Sequence, residues 1–265
     1  MQNWPKTLAL AGVGKMGAAM LRGWLAGGLD PAGVTLIEPT PSVDVTALGL
    51  KLNPATPRVP DVLVLAVKPQ ALDAAAPRLQ DLAGPQTLIV SVIAGKTIAD
   101  LAARFPSARA FVRVMPNTPA AVGRGAAAGA ANAAVTSEQR GWTEGLMRAV
   151  GVFEWVADEA QIDAVTALSG SGPAYVFALV EAMAKAGAAV GLAPDLAMRL
   201  ARATVEGAGE LMTREPAVPA AILRQNVTSP GGTTAAALGV LQGELDALLA
   251  RAVTAARDRA RELGG

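Results

Sequence analysis

Hydrophobic positions along this chain follow two rhythms. In the first half, short β-branched or aliphatic runs alternate with longer Ala/Leu-rich stretches. The runs are Thr7–Ala11, Val34–Glu38, Asp61–Val67, Thr87–Ile93 and Ala110–Met115, and the stretches include Met16–Ala26 and Gln70–Leu82. The runs predict strands and the stretches helices, the alternation of a parallel, doubly wound, Rossmann-like sheet. Gly125–Ala134 is too rich in Ala and Gly to classify. A helix is expected from Ser137, read as its N-cap, to about Val150, followed by a short strand, Val152–Val156.

Beyond Asp158 the rhythm is helical throughout. Helices are expected over Glu159–Leu168, Pro173–Val190, Pro194–Met212, Pro219–Gln225, Thr234–Leu241 and Leu245–Leu263, with Pro or Gly at the joints. The fold class is therefore α/β followed by all-α, with a dinucleotide-binding domain over 1–157 and a helical domain over 158–265. Two helices, Pro173–Val190 and Pro194–Met212, are apolar around most of their circumference, more than a small lone domain can bury. A homodimer built on them is the expectation. The longest apolar stretch, Ala174 to Ala193, contains Glu181 and Lys185 at a spacing and order that favour a helical ion pair, so it reads as a soluble helix rather than a membrane span.

Composition then removes whole classes of chemistry. Lys+Arg 23 against Asp+Glu 22 leaves a formal charge of +1, so there is no basic field for nucleic acid or an anionic membrane. The absence of cysteine excludes disulfides and thiolate catalysis, and the absence of histidine deletes the commonest acid/base group and metal ligand. No metal centre is expected. Met1 to Thr7 lacks the charged start and long apolar core of a signal peptide, which makes the cytoplasm the expected location and leaves the sequon Asn226-Val227-Thr228 without meaning.

Gly12-Val13-Gly14-Lys15-Met16-Gly17 follows a predicted strand and opens a predicted helix. In that context the glycines permit a tight turn and close backbone approach, and the helix start offers amide protons to a pyrophosphate. Glu38, at the end of the second strand, is placed to bond the ribose hydroxyls of NAD and to repel a 2′-phosphate; a solvated loop carboxylate is the alternative. Val67-Lys68-Pro69 ends a further strand on the ligand-binding edge. Lys68 there could meet a phosphate or a substrate carboxylate, or lie on the surface.

Four segments of small and polar residues stand out from the oily remainder: Ser91–Gly95, Arg113–Pro119, Leu168–Tyr175 and Val227–Thr234. In the third, Ser171 or Gly172 reads as a helix cap with Pro173 in the first turn. Together with Gly12–Gly17 and Val67–Pro69 these segments resemble, over essentially the whole chain, the ordered motif set of the pyrroline-5-carboxylate reductase family. The resemblance implies a Rossmann-like domain binding NADPH or NADH, a helical domain interlocked in a homodimer, often a ring of dimers, and a substrate site where the nicotinamide meets the helical domain. It implies that Met115, Pro116 and Asn117 form the loop beside the nicotinamide, with Ala94 and Gly95 as neighbours. It also implies that Ser229, Gly231, Gly232, Thr233 and Thr234 hold the carboxylate of pyrroline-5-carboxylate or proline, with Thr234 as the catalytic candidate near the ring nitrogen. Glu38 departs from the family's usual phosphate-welcoming residues, which puts the NADPH preference in doubt.

A chain without histidine suits such chemistry, because a protonated ring imine is already electrophilic and needs no strong enzymic acid. Two other readings are disfavoured, the first by the expected Glu181–Lys185 pairing and the specific motifs, the second by the intact Ser229–Thr234 segment. A β-hydroxyacid dehydrogenase would share both domains and use a lysine such as Lys185, and a dinucleotide-sensing binding protein would share the fold without turnover.

Overall fold

The computed structural model describes residues 3–55 and 58–264. Its first compact unit runs to Ser171 and takes in the chain again from Ala256; the second unit is Gly172–Ala255.

The first unit is built on one sheet. Its strands are β1 (Leu8–Ala11), β2 (Val34–Ile37), β3 (Lys51–Leu52), β4 (Val62–Leu65), β5 (Leu88–Ser91), β6 (Ala110–Met115), β7 (Gly125–Ala131) and β8 (Gly151–Trp155), in the spatial order 3-2-1-4-5-6-7-8. Side chains alternate between two cores, as a sheet covered on both faces requires. Leu8, Leu10, Val62 and Val64 join Met20, Trp24 and Leu146 on one face, while Ala9, Ala11, Leu63 and Leu65 join Leu72, Leu79 and Leu101 on the other. The helices supplying these contacts are α1 (Lys15–Ala26) and α5 (Ser137–Arg148) on the first face, α3 (Leu72–Leu79) and α4 (Ile98–Arg104) on the second. A further short helix, α2, covers Val43–Thr46.

Several local expectations need correction. The unclassified Ala/Gly stretch is strand β7, antiparallel to β6, with Arg113 opposite Ala130; β8 pairs parallel to it, so the last two strands run against the first six. Small residues are needed there, since a Cβ on Gly129 would lie 2.9 Å from the Phe153 ring. The N-cap of α5 is Thr136, not Ser137: its hydroxyl accepts from Gln139 N and the Gln139 side chain accepts from Thr136 N, a closed capping box. The stretch Gln70–Leu82 breaks into 3-10 turns on either side of α3, which holds Pro77.

The polar Ser169–Pro173 segment does not cap a new helix. The helix α6 (Gln161–Val165) passes directly into a π turn, Thr166–Gly170, where Ser171 N donates to Thr166 O at 2.8 Å. Ser171 keeps helical dihedrals and the chain continues into α7 (Gly172–Ala189). Such π turns insert one extra residue per turn and are frequent at functional sites.

The second unit consists of α7, α8 (Pro194–Arg214), α9 (Ala220–Asn226) and most of α10 (Thr233–Gly264). The two final helices expected from sequence are one, because Gly243 costs a helix only about 1 kcal/mol and does not break it. Glu181 and Lys185 stand one turn apart on α7 without forming an ion pair. Small side chains, Gly187 against Ala197, let α7 and α8 approach closely. Within this unit only Ala184, Ala197 and Ala201 are buried on these helices, while Phe177 is 63% and Val240 73% exposed. Among the described residues no helix is long and apolar enough to cross a membrane.

Candidate functional site

The glycine turn at the carboxyl end of β1 is formed by three glycines with three different reasons to be glycine. Gly12 has φ +91, and a Cβ there would lie 2.6 Å from the Ala66 carbonyl; one on Gly17 would collide with Gly12 O. A Cβ on Gly14 would meet nothing within 4 Å, so the turn is closed at its ends and open in its middle. Gly14 is also the N-cap of α1, and no side chain caps that helix. The first-turn amides of Lys15, Met16 and Gly17 thus open α1 with no side-chain cap beside an uncrowded Gly14, the arrangement in which this fold would hold the pyrophosphate of a dinucleotide.

Glu38 is half-buried beside this turn. Its Oε2 accepts from Val13 N at 2.8 Å, and its Oε1 from Thr40 N at 3.1 Å and Thr40 Oγ1 at 3.4 Å. The residue is fixed from behind by Asn53, which accepts from Glu38 N and donates to Glu38 O, and which adopts a left-handed φ of 45 to do so. Sequence reasoning gave Asn53 no role; a non-glycine in that conformation is visible only in three dimensions. Val67 and Lys68 follow β4 alongside, with Val67 N 2.7 Å from the Cβ that Gly12 lacks, and Lys68 exposed ahead of Pro69.

Gly95, with φ +70, turns the chain after β5, and here the structure adds an unforeseen neighbour: a Cβ on Gly95 would lie 2.7 Å from Leu263 O, in the last turn of α10. Ala94 next to it is exposed. The loop then enters α4 through a capping box. Thr97 Oγ1 accepts from Asp100 N at 3.1 Å, and Asp100 Oδ2 accepts from Thr97 N at 2.9 Å. That backbone bond, with the Thr97 hydroxyl and the nearby Lys96 and Arg104 charges, holds the Asp100 carboxyl below its ordinary 3.8 against the opposing effect of burial.

Met115 and Pro116 close β6 and are buried. Asn117 is 8% exposed and both ends of its side-chain amide are bonded: Nδ2 donates to Ser169 O at 3.0 Å and Oδ1 accepts from Ala126 N at 2.8 Å. It therefore clamps the π turn to β7. Met115 Cγ packs 3.5 Å from where a Gly170 Cβ would be, so the π turn lies directly on this loop.

In the second unit, Ser229 to Gly232 lead into α10, whose first residues are Thr233 and Thr234. Gly231 has φ +70, and Gly232 N donates to Ser229 O at 3.1 Å, which closes a turn ahead of α10. The Thr233 and Thr234 amides open α10 with both hydroxyls in its first turn, and a Cβ on Gly232 would collide with Ser229 Oγ. Among the described residues no group of acidic side chains could hold a metal ion.

A sheet ordered 3-2-1-4-5-6 through its six parallel strands, an open glycine turn on an uncapped helix and a carboxylate fixed at the end of β2 define the Rossmann class of fold, the frame of dinucleotide-dependent oxidoreductases.

Residues 159–263 match a family model described as pyrroline-5-carboxylate reductase dimerisation, and residues 7–95 match one described as NADP oxidoreductase coenzyme F420-dependent. The chain is 41% identical to a pyrroline-5-carboxylate reductase of Pseudomonas aeruginosa, over 97% of this chain and 96% of that one. A solved pyrroline-5-carboxylate reductase of Coxiella burnetii is 36% identical with a TM-score of 0.89, covering 98% of this chain and 99% of that one. A pyrroline carboxylate reductase of Plasmodium falciparum, solved with NADP bound, is 29% identical with a TM-score of 0.80 over the full length of both. The chain belongs to the pyrroline-5-carboxylate reductase family. The exposed apolar residues of α7 to α10 fall within the region matched by the dimerisation model.

Proposed function

We propose that this chain reduces 1-pyrroline-5-carboxylate to L-proline, the last step in making that amino acid, with NADH preferred to NADPH. The observation that carries the reading is the end-to-end likeness to proteins named for this reaction, 41% identical over 97% of the chain, on a fold whose glycine turn is open to a pyrophosphate.

When bound, the reduced dinucleotide supplies the hydride that adds to the imine carbon, while the ring nitrogen, already protonated, becomes the amine. The protein's own work is positional. The α1 amides and Gly14 receive the pyrophosphate, and Glu38 takes the ribose diol through Oε2, which accepts a single bond from Val13 N and keeps a second lone pair. Lys68, exposed after β4, supplies positive charge on the same edge. The segments 94–95 and 115–117 line the nicotinamide. Ser229, Gly231, Gly232, Thr233 and Thr234 receive the substrate carboxylate through hydroxyls and backbone amides at the start of α10, with Thr234 nearest the ring nitrogen.

For the assembly the proposal is a homodimer through the helical region, closed further into a ring of dimers, and for location the cytoplasm. Light scattering after size exclusion tests the first: monomer alone at micromolar concentration would overturn it. Turnover of pyrroline-5-carboxylate with each dinucleotide tests the reaction and the preference.

A further inference from the structure

Arg113 is the one charged residue of β6, and it is 5% exposed. Its side chain shares a face of the strand with Met115, where α6 covers the sheet and Met115, Ala130 and Ile162 pack together. Nη1 donates to Glu159 Oε1 at 3.3 Å and Nη2 to Asp163 Oδ1 at 3.5 Å, while Nε has no partner among the described residues. These distances exceed the 2.7–2.9 Å or so of a tight charge-assisted bond. The geometry is one buried cation shared between two acids, rather than a fork closed on one.

Each acid leads elsewhere. Glu159 Oε1 also accepts the Ile98 amide at 2.8 Å, in the first turn of α4, immediately after the Ala94–Thr97 loop. Asp163 lies on α6, which runs unbroken into the π turn, and that turn is gripped by Asn117 through Ser169 O. The loop after β5, the loop after β6 and the π turn are thus all tied to one guanidinium.

A buried cation between carboxylates is a poor way to gain stability, since well-packed apolar residues serve as well. It does fix geometry in a way an apolar contact cannot. We propose that Arg113 is a positioning residue: through Glu159 and Asp163 it holds the segments 94–97, 115–117 and 166–170 in one arrangement, the wall against which the nicotinamide ring lies. The inference rests on the reductase reading above, and deepens it.

Lysine keeps the charge but lacks the planar fork needed to serve both acids. In Arg113→Lys, backbone amide exchange in the dinucleotide-free protein should accelerate about tenfold or more at 98 and 166–171, with the amides of 15–17 unchanged. The kcat should fall about 10- to 100-fold, the scale of a misplacement near 1 Å. NADH affinity, read by quenching of tryptophan fluorescence, should stay within about threefold, because most of its contacts are at the glycine turn. Wild-type kcat in the folded variant, or unchanged exchange, would overturn the proposal. If Arg113→Lys does not fold, Glu159→Gln keeps the shape and weakens one arm; faster exchange at Ile98 with lower kcat supports the clamp, and no change in both overturns it. Should the wild-type protein itself leave pyrroline-5-carboxylate untouched, the functional reading fails, while exchange still decides the clamp.

Discussion

Glu38 Oε2 accepts the backbone N–H of Val13 at 2.8 Å, joining the end of β2 to the middle of the glycine turn across 25 residues of sequence. With Thr40 on the other oxygen and Asn53 on both sides of its backbone, this carboxylate has little freedom to swing away. The ribose-reading role proposed for Glu38 rests on this fixed position at the end of β2.

Glu38→Ser should raise the ratio of kcat/KM for NADPH over NADH by about 10- to 100-fold, since two like charges about 4 Å apart repel by about 1 kcal/mol in water and about 4 kcal/mol at an effective dielectric of 20, and this half-buried carboxylate lies between the two. Steady-state kinetics with both dinucleotides measures it. An unchanged ratio would remove Glu38 from cofactor selection.

The glycine turn predicts opposite outcomes for two neighbouring substitutions. Gly12→Ala forces a Cβ to 2.6 Å from the Ala66 backbone at φ +91 and should cost the native fold, about 1–3 kcal/mol or more in chemical denaturation. Gly14→Ala meets open space and should fold normally while weakening dinucleotide binding, because the methyl occupies the approach of the pyrophosphate. Equal stability of the two variants would contradict this account.

Asp100 gives a pH-dependent prediction. Its carboxyl titrates below 3.8 in the folded chain, chiefly through the bond from Thr97 N, so its contribution is complete above the unfolded value and is lost as pH falls through the lower folded one. Asp100→Ala should lower Tm at pH 7 by about 2–4 °C, the worth of about 1 kcal/mol of capping, and the gap should close below about pH 4. A gap that persists at pH 2 would contradict it.

Thr234→Ala should cut turnover by about one to three orders of magnitude, the scale of one lost polar contact to the reacting group. Dinucleotide affinity should not change, because Thr234 opens α10, outside the glycine turn. Wild-type kcat in this variant would take Thr234 out of the reaction.

What the sequence made legible is what local pattern encodes. The β-branched or aliphatic runs marked β1, β2, β4, β5 and β6, since strands covered on both faces are mostly apolar, and Gly12–Gly17 marked the turn because its glycines answer local needs. The strand β7 escaped because its residues, Gly125 to Ala131, have no strand preference and are selected by the closeness of Phe153 and β6. The π turn escaped because Ser169-Gly170-Ser171 reads as a cap, and only the Asn117 and Met115 contacts explain why the helix widens there instead. Arg113 offered a signal that was passed over, a lone cation in an otherwise apolar strand, whose partners lie 46 and 50 residues away.

The most direct measurement is the loss of nicotinamide absorbance when the purified protein meets pyrroline-5-carboxylate, with NADH and NADPH run side by side. The account predicts turnover to proline with both dinucleotides and higher kcat/KM with NADH. Absence of turnover with either would contradict the assigned reaction, and a preference for NADPH would contradict the role given to Glu38.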